Sequence, residues 1–180
     1  MGTGIQICGL NGCGKSTLGR ALANKIGFHF IDIETLFFPN SNSDDSYQNP
    51  KSREKVEKLL AEEMQQHHNF VFAAVKGNYG KNIVALYDYV IMIEVPKNIR
   101  SQRIRTRSFQ KFGNRMLPGG DLHMQEEAFF QMAESRPNEY IEDWLQALNC
   151  PILRVDGTKP IADNLAIIIQ AMGIRLPNDK

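Results

Sequence analysis

The chain has 180 residues, 42% hydrophobic and 23% charged, enough to bury one core without disulfide or metal staples, so it reads as a single domain over residues 1–180. Its 21 basic and 20 acidic residues leave a formal charge of +1, which supplies no global field for gripping nucleic acid or an anionic membrane. Cys8, Cys13 and Cys150 have no metal-ligand spacing, no secretory leader is evident, and no apolar run approaches the ~20 residues of a membrane span; a cytoplasmic protein is the expectation.

Ile5 to Cys8 is an apolar run fit for a buried strand, and it leads into Gly9-Leu10-Asn11-Gly12-Cys13-Gly14-Lys15-Ser16-Thr17. That stretch fits G-x-x-x-x-G-K-S/T at every fixed position, the pattern of a phosphate-binding loop. The glycines let the backbone turn so that successive N–H groups point inward around a phosphate. Lys15 adds a charge for the outer phosphates, the Ser16 hydroxyl suits Mg²⁺, and the next helix offers its positive end to the same anion. Asn11, Gly12, Cys13, Gly14, Lys15, Ser16 and Thr17 are thus the candidate nucleotide-binding residues of the loop. The spacing G-x-x-G-x-G excludes the dinucleotide fingerprint. The helix carries Leu18, Ala21, Leu22 and Ile26 and stops at Gly27.

His29 to Asp32 reads as the second strand, with Asp32 and Glu34 at its carboxyl end, where open parallel sheets bind ligands. If the first two strands are neighbours, both carboxylates lie beside the loop. Asp32 is then a candidate for Mg²⁺-bound water or for the acceptor proton, and Glu34 for an acceptor hydroxyl; the plainer reading is two acids capping the next element. After Phe37-Phe38-Pro39, residues 40–46 read as a mobile loop. A helix is predicted from about Ser52, with Val56, Leu59, Leu60 and Met64 on one face, a Glu54–Lys58 pair, and Arg53 at its entrance as a candidate anchor for an acidic acceptor. Residues 33–60 form the predicted acceptor-binding region.

Phe70 to Val75 is a buried strand running into Lys76-Gly77-Asn78-Tyr79-Gly80, with no acid at its end to assist Mg²⁺; Asp32 is the nearest substitute. Lys76 and Gly77 are candidate substrate contacts. Tyr89 to Val95 is the fourth strand, closed by Pro96. In the helix beyond it, Arg100, Arg103 and Arg107 share one face while Arg105 points elsewhere. Like charges on one stripe repel unless an anion is shared among them, and polyphosphate suits arginine forks. Gly113 and the Gly119-Gly120 pair bracket a basic connector, which suggests a flap over about residues 107–121 that closes and brings in Arg115. A solvated basic helix or an RNA contact competes with the phosphate clamp, and the RNA case lacks interleaved surface aromatics.

Two helices follow, one with Phe129, Phe130, Met132 and Ala133, the other with Tyr140, Ile141, Trp144, Leu145 and Leu148; Arg136 stands between them as a further substrate contact. Cys150 to Val155 is the fifth strand. Asp156, Gly157 and Thr158 form a turn suited to lining a base pocket, and a helix with Ile161, Leu165, Ile168, Ile169 and Met172 closes the chain.

The phosphate loop, the Ile31-Asp32-Ile33-Glu34 segment, the strand from Tyr89 leading to Arg103 and Arg107, and the Val155-Asp156-Gly157-Thr158 turn together resemble the small-kinase group of shikimate kinases and nucleoside monophosphate kinases. The resemblance implies a three-layer α/β/α P-loop fold with a five-stranded parallel sheet of order 2-3-1-4-5 and a short helical lid. It implies that Asp32 and Glu34 meet Mg²⁺-bound water and the acceptor, that Arg53 meets an acceptor carboxylate, and that Arg103, Arg107 and Arg115 are lid arginines. Arg136 with Tyr140 is similar to the post-lid R-x-x-x-Y of nucleotide kinases, and Asp156 to Pro160 to their adenine-lining turn. Lys76 to Gly80 is neither the triple glycine of shikimate kinases nor the D-G-F/Y-P-R of adenylate kinases, so the acceptor stays open.

The expectation is an ATP- and Mg²⁺-dependent phosphotransferase acting on a small molecule, monomeric or homodimeric, with Lys15, Asp32, Arg103, Arg107 and Arg115 as catalytic residues and Ser16 and Asp32 on the metal. A nucleotide-binding switch or a plain NTPase are the alternatives.

Overall fold

Every residue of β1 (Gly4–Cys8) is buried, and its side chains alternate between two separate cores. The computed structural model describes residues 2–39 and 50–174. In chain order, β1 is followed by α1 (Lys15–Ile26), β2 (His29–Asp32), α2 (Ile33–Phe37), α3 (Arg53–Gln66), β3 (Phe70–Ala73), α4 (Lys81–Val84), β4 (Tyr89–Glu94) and α5 (Lys97–Phe112). A 3₁₀ turn (Gly113–Met116), α6 (His123–Ser135), α7 (Glu139–Leu145), β5 (Ile152–Asp156) and α8 (Ile161–Met172) complete it.

All strands pair in parallel in the order β2-β3-β1-β4-β5, as the family resemblance implied. Ile5 and Ile7 face one side, where Leu22 and Ile26 of α1 and Ile168 and Met172 of α8 cover them. On the other side Phe70, Phe72, Val90 and Met92 pack under Leu60 and Met64 of α3 and Ile141 and Leu145 of α7. Burial on both faces is what the near-continuous apolar strands require. A third, small core joins Ile104 of α5, Met116 of the 3₁₀ turn, and Phe130 and Ala133 of α6. It fastens the connector that the glycines suggested as a flap to the helices on either side.

Several details differ from expectation. The condition set for Asp32 and Glu34, that β1 and β2 be neighbours, is not met, because β3 lies between them. β3 leaves the ladder after Ala73, although Ala74 N–H still donates to Ile7 O (3.1 Å). β5 starts at Ile152 because Pro151 has no N–H to give a ladder, and only its carbonyl is used, by Val90 N–H (3.0 Å). The short α2 and α4 carry too few apolar residues to show a period. Lys58 faces Glu62 (3.9 Å) in place of Glu54, while Arg53 takes Glu57 (2.8 Å); exposed pairs one turn apart differ by only a few tenths of a kcal/mol, so composition cannot rank them. The predicted loop at 40–46 lies outside the described residues. Among the described residues no helix is long and apolar enough to cross a membrane.

Candidate active site

The loop between β1 and α1 is built on two left-handed glycines with different surroundings. At Gly12 (φ 82°) a Cβ would stand 2.5 Å from the carbonyl oxygen of Arg100, so the loop presses against the first turns of α5. At Gly14 (φ 98°) no atom lies within 4 Å of that position. Gly14 is the N-cap of α1 and supplies no side chain to it, so the first amides of the helix are left for a ligand. Lys15 is folded back, with Nζ 3.4 Å from Leu10 O and 4.0 Å from Cys13 Sγ. It meets no carboxylate within ion-pair distance among the described residues. The Cys13 side chain is buried (2% exposed) and contributes only backbone to the loop's concave face.

This loop forms one wall of a cleft of about 600 Å³. Asn11, Gly12, Gly14, Lys15, Ser16 and Thr17 line it, and across from them stand Arg103 and Arg107 of α5. Asp32 and Glu34 enter from the end of β2. With β3 between β2 and β1, two strand spacings set Asp32 ~10 Å to the side of the loop strand, room for a second ligand next to a phosphate. Asp32 Oδ1 caps α2 by accepting from Glu34 N–H (3.1 Å), the plainer of its two readings, and the residue also lines the cleft. Arg136 also lines the cleft, on the loop side, where Nη1 donates to Asn11 Oδ1 (2.8 Å) and the guanidinium lies 5.4 Å from the Tyr140 ring.

Other candidates sit elsewhere. Arg100, on the same stripe as Arg103 and Arg107, is 5% exposed and donates to Val95 O (3.1 Å) and Asn11 O (3.4 Å); it braces the loop and does not line the cleft with the other two. Arg115 forms a two-pronged ion pair with Asp121 (2.7 Å at the closest), which pulls that carboxyl below its usual range, and it does not line the cleft. Arg53 is spread along α3 and the 77–80 loop, bonded to Glu57 and to Asn78 O (2.6 Å) over the Tyr79 ring. Lys76 lies 3.6 Å from the Tyr140 ring centroid. Gly77 is packed against Tyr87 and Gln6, and its carbonyl accepts from Tyr87 OH (2.9 Å). None of these three lines the cleft.

The turn after β5 abuts the loop from behind. Asp156 Oδ1 accepts from Thr158 Oγ1 (2.6 Å) and Thr158 N–H (2.9 Å), which lowers its pKa. Gly157 backs onto Cys13 O, and its own carbonyl accepts from Arg103 Nη2 (3.0 Å). Arg103 therefore links this turn to the cleft.

Residue-by-residue reading missed the opposite wall. Phe37 and Phe38 follow β2, Phe112 ends α5, and Phe129 and Met132 come from α6, joined by Lys111, Gln125 and Glu126. Glu126 is buried and accepts from Ser108 Oγ. Burial pushes the Lys111 ammonium down, and the Glu34 carboxylate across the cleft opposes that shift. The Phe37-Phe38 doublet, one short helix beyond the end of β2, was the available signal.

Residues 5–115 match the AAA domain family. The chain is 28% identical over 160 residues to the Bacillus subtilis protein YqaC, spanning 84% of this chain and 87% of that one. It is 31% identical over 155 residues to a shikimate kinase of Prochlorococcus marinus, spanning 81% of this chain and 74% of the relative. Among solved structures, a gluconokinase from Sinorhizobium meliloti superposes with a TM-score of 0.57 at 17% identity, covering 95% of each chain. A sugar kinase from Janibacter does so at 0.56 and 15%, covering 97% of this chain and 96% of that one; at such identities these two speak for the fold alone.

Proposed function

Because the chain belongs to the P-loop small-molecule kinase family, we propose that it moves the γ-phosphoryl group of ATP to a hydroxyl of a small acceptor held in the cleft between the glycine loop and the α5–α6 wall. One observation carries this reading: Arg103 and Arg107 face the same cleft as Lys15 and Ser16, with Asp32 to the side. The residues fit a triphosphate. The space at Gly14, the uncapped first amides of α1 and a lysine without a carboxylate partner among the described residues are all complementary to an anion.

Ser16 would hold Mg²⁺, which when bound would offset negative charge on the outer phosphate oxygens. Lys15 and the loop amides orient the donor. The acceptor hydroxyl oxygen forms the new bond to the γ-phosphorus, the bond to the bridging oxygen breaks, and that oxygen departs with ADP. Asp32 takes the hydroxyl proton through the oxygen not committed to the α2 cap. Arg103 and Arg107 neutralise charge on the phosphoryl group as it passes, and water exclusion by the residue 107–121 cover favours transfer over hydrolysis. Arg115 joins them only if the cover moves far enough to break its pair with Asp121. The turn at Asp156, Gly157 and Thr158 takes the adenine side.

The test is γ-labelled ATP incubated with and without a mixed pool of hydroxylated metabolites. Label should enter an organic phosphate ester, and Lys15→Ala should abolish it. Release of inorganic phosphate alone, at one rate with or without the pool, would favour a plain NTPase.

A further inference from the structure

The kinase reading leaves the acceptor open, and the far half of the cleft constrains it. Phe37 and Phe38, with ring centroids 6.3 Å apart and planes tilted by 43°, line it. Phe112, with Lys111 Nζ 5.3 Å from its ring centroid, and Phe129 line it as well. A polyol or sugar acid set among them would turn its hydroxyls toward carbon and leave them without partners, whereas a flat ring would meet apolar surface.

Charge points the same way. Asp32, Glu34 and Glu126 stand on this half of the cleft, against Lys111. The cations that would receive an acceptor carboxylate are engaged elsewhere: Arg53 with Glu57 and Asn78 O, Lys76 with the Tyr140 ring, and Arg136 with Asn11 at the loop. With Lys15, Arg103 and Arg107 committed to the triphosphate, an acidic acceptor would meet Asp32, Glu34 and Glu126 against Lys111 alone. Gln125 adds an amide that both donates and accepts, the complement of a nucleobase edge. The geometry points to an uncharged nucleoside as the acceptor, its ring among these phenylalanines and its hydroxyl toward Asp32 and the γ-phosphorus, in place of the hydroxy acid or sugar acid of the named relatives. The hydroxyl oxygen gains the phosphoryl group, ADP leaves with the bridging oxygen, and the proton passes to Asp32. This inference rests on the proposed phosphoryl transfer.

The experiment incubates the full chain with Mg²⁺ and γ-labelled ATP against four separate pools: nucleosides, nucleoside monophosphates, hydroxy acids and sugars. Label should enter the nucleoside pool. Loss of a stacking ring acts on binding, so Phe129→Ala and, independently, Gln125→Ala should raise the nucleoside KM by about tenfold with little change in the KM for ATP. Label entering any of the other three pools overturns the nucleoside assignment while the kinase reading stands. Label found only in inorganic phosphate overturns both.

Discussion

Replacing Gly12 and Gly14 one at a time by alanine separates what the loop does for the fold from what it does for the ligand. At Gly12→Ala the left-handed φ of 82° costs ~1–2 kcal/mol. The new methyl, 2.5 Å from Arg100 O and 3.0 Å from Ile104 Cγ1, adds an overpacking cost of ~1–3 kcal/mol. At roughly 3 °C per kcal/mol for a chain of this size, the melting temperature should fall by about 10 °C. Gly14→Ala carries the left-handed cost alone, since φ is 98° and nothing lies within 4 Å, and should lose only about 5 °C. Yet its methyl occupies the space we assign to phosphate. With Mg·ATP at a hundred times its Kd, the native chain should gain ~2.7 kcal/mol, an upshift of about 8 °C. Gly14→Ala should show none of it. Thermal unfolding with and without Mg·ATP reads both quantities, and a full upshift in Gly14→Ala would refute the cradle.

Three further outcomes follow from the same structure. Arg107→Ala should lower kcat by about 10²-fold or more with a smaller change in the KM for ATP, because its contact strengthens as charge develops; steady-state kinetics showing equal losses would contradict the clamp. The Arg154 guanidinium, bonded to Glu142 (2.7 Å) and Glu94 (2.8 Å), holds the Glu142 carboxyl below its usual range. A group depressed in the folded state stabilises above its unfolded pKa and loses that effect as pH falls through the folded one. Glu142→Gln should therefore cost under ~1 kcal/mol at neutral pH, discounted for exposure, and the difference in melting temperature should vanish in acid. Burial lifts the Cys8 thiol to about 12 and Cys13 is 2% exposed, so mass spectrometry after iodoacetamide at pH 8 should find Cys150 modified first, although burial raises its thiol too.

The sheet was legible because its strands are short apolar runs, most of them bounded by Gly, Pro or Asp, and the loop because its chemistry fixes its spacing. The arginine stripe of α5 was legible as a stripe, and two of its members do face the cleft. Periodicity could not show that Arg100, nearest the sheet, would find carbonyls of Val95 and Asn11 to bind, since these partners come from other elements. Arg115 and Arg53 were read as ligand contacts, but each had a carboxylate close in sequence, Asp121 and Glu57, and local pairs form at little entropic cost. Phe129 and Met132 read as core because helical spacing reports a face and not what lies opposite it. Only the packing of α6 against α5 and the 3₁₀ turn, with Phe129 and Met132 left lining the cleft, shows which part of that face meets a cavity.

The most direct test of the central claim, that the glycine loop and the α5 arginines grip one triphosphate, is a crystal structure with Mg²⁺ and a non-hydrolysable ATP analogue. The expected result has the outer phosphates on the amides of residues 12–17, Lys15 swung off Leu10 O, and the Arg103 and Arg107 guanidinium groups on the γ-phosphate. Phosphates bound away from the loop, or on the loop with both arginines turned from them, would contradict it.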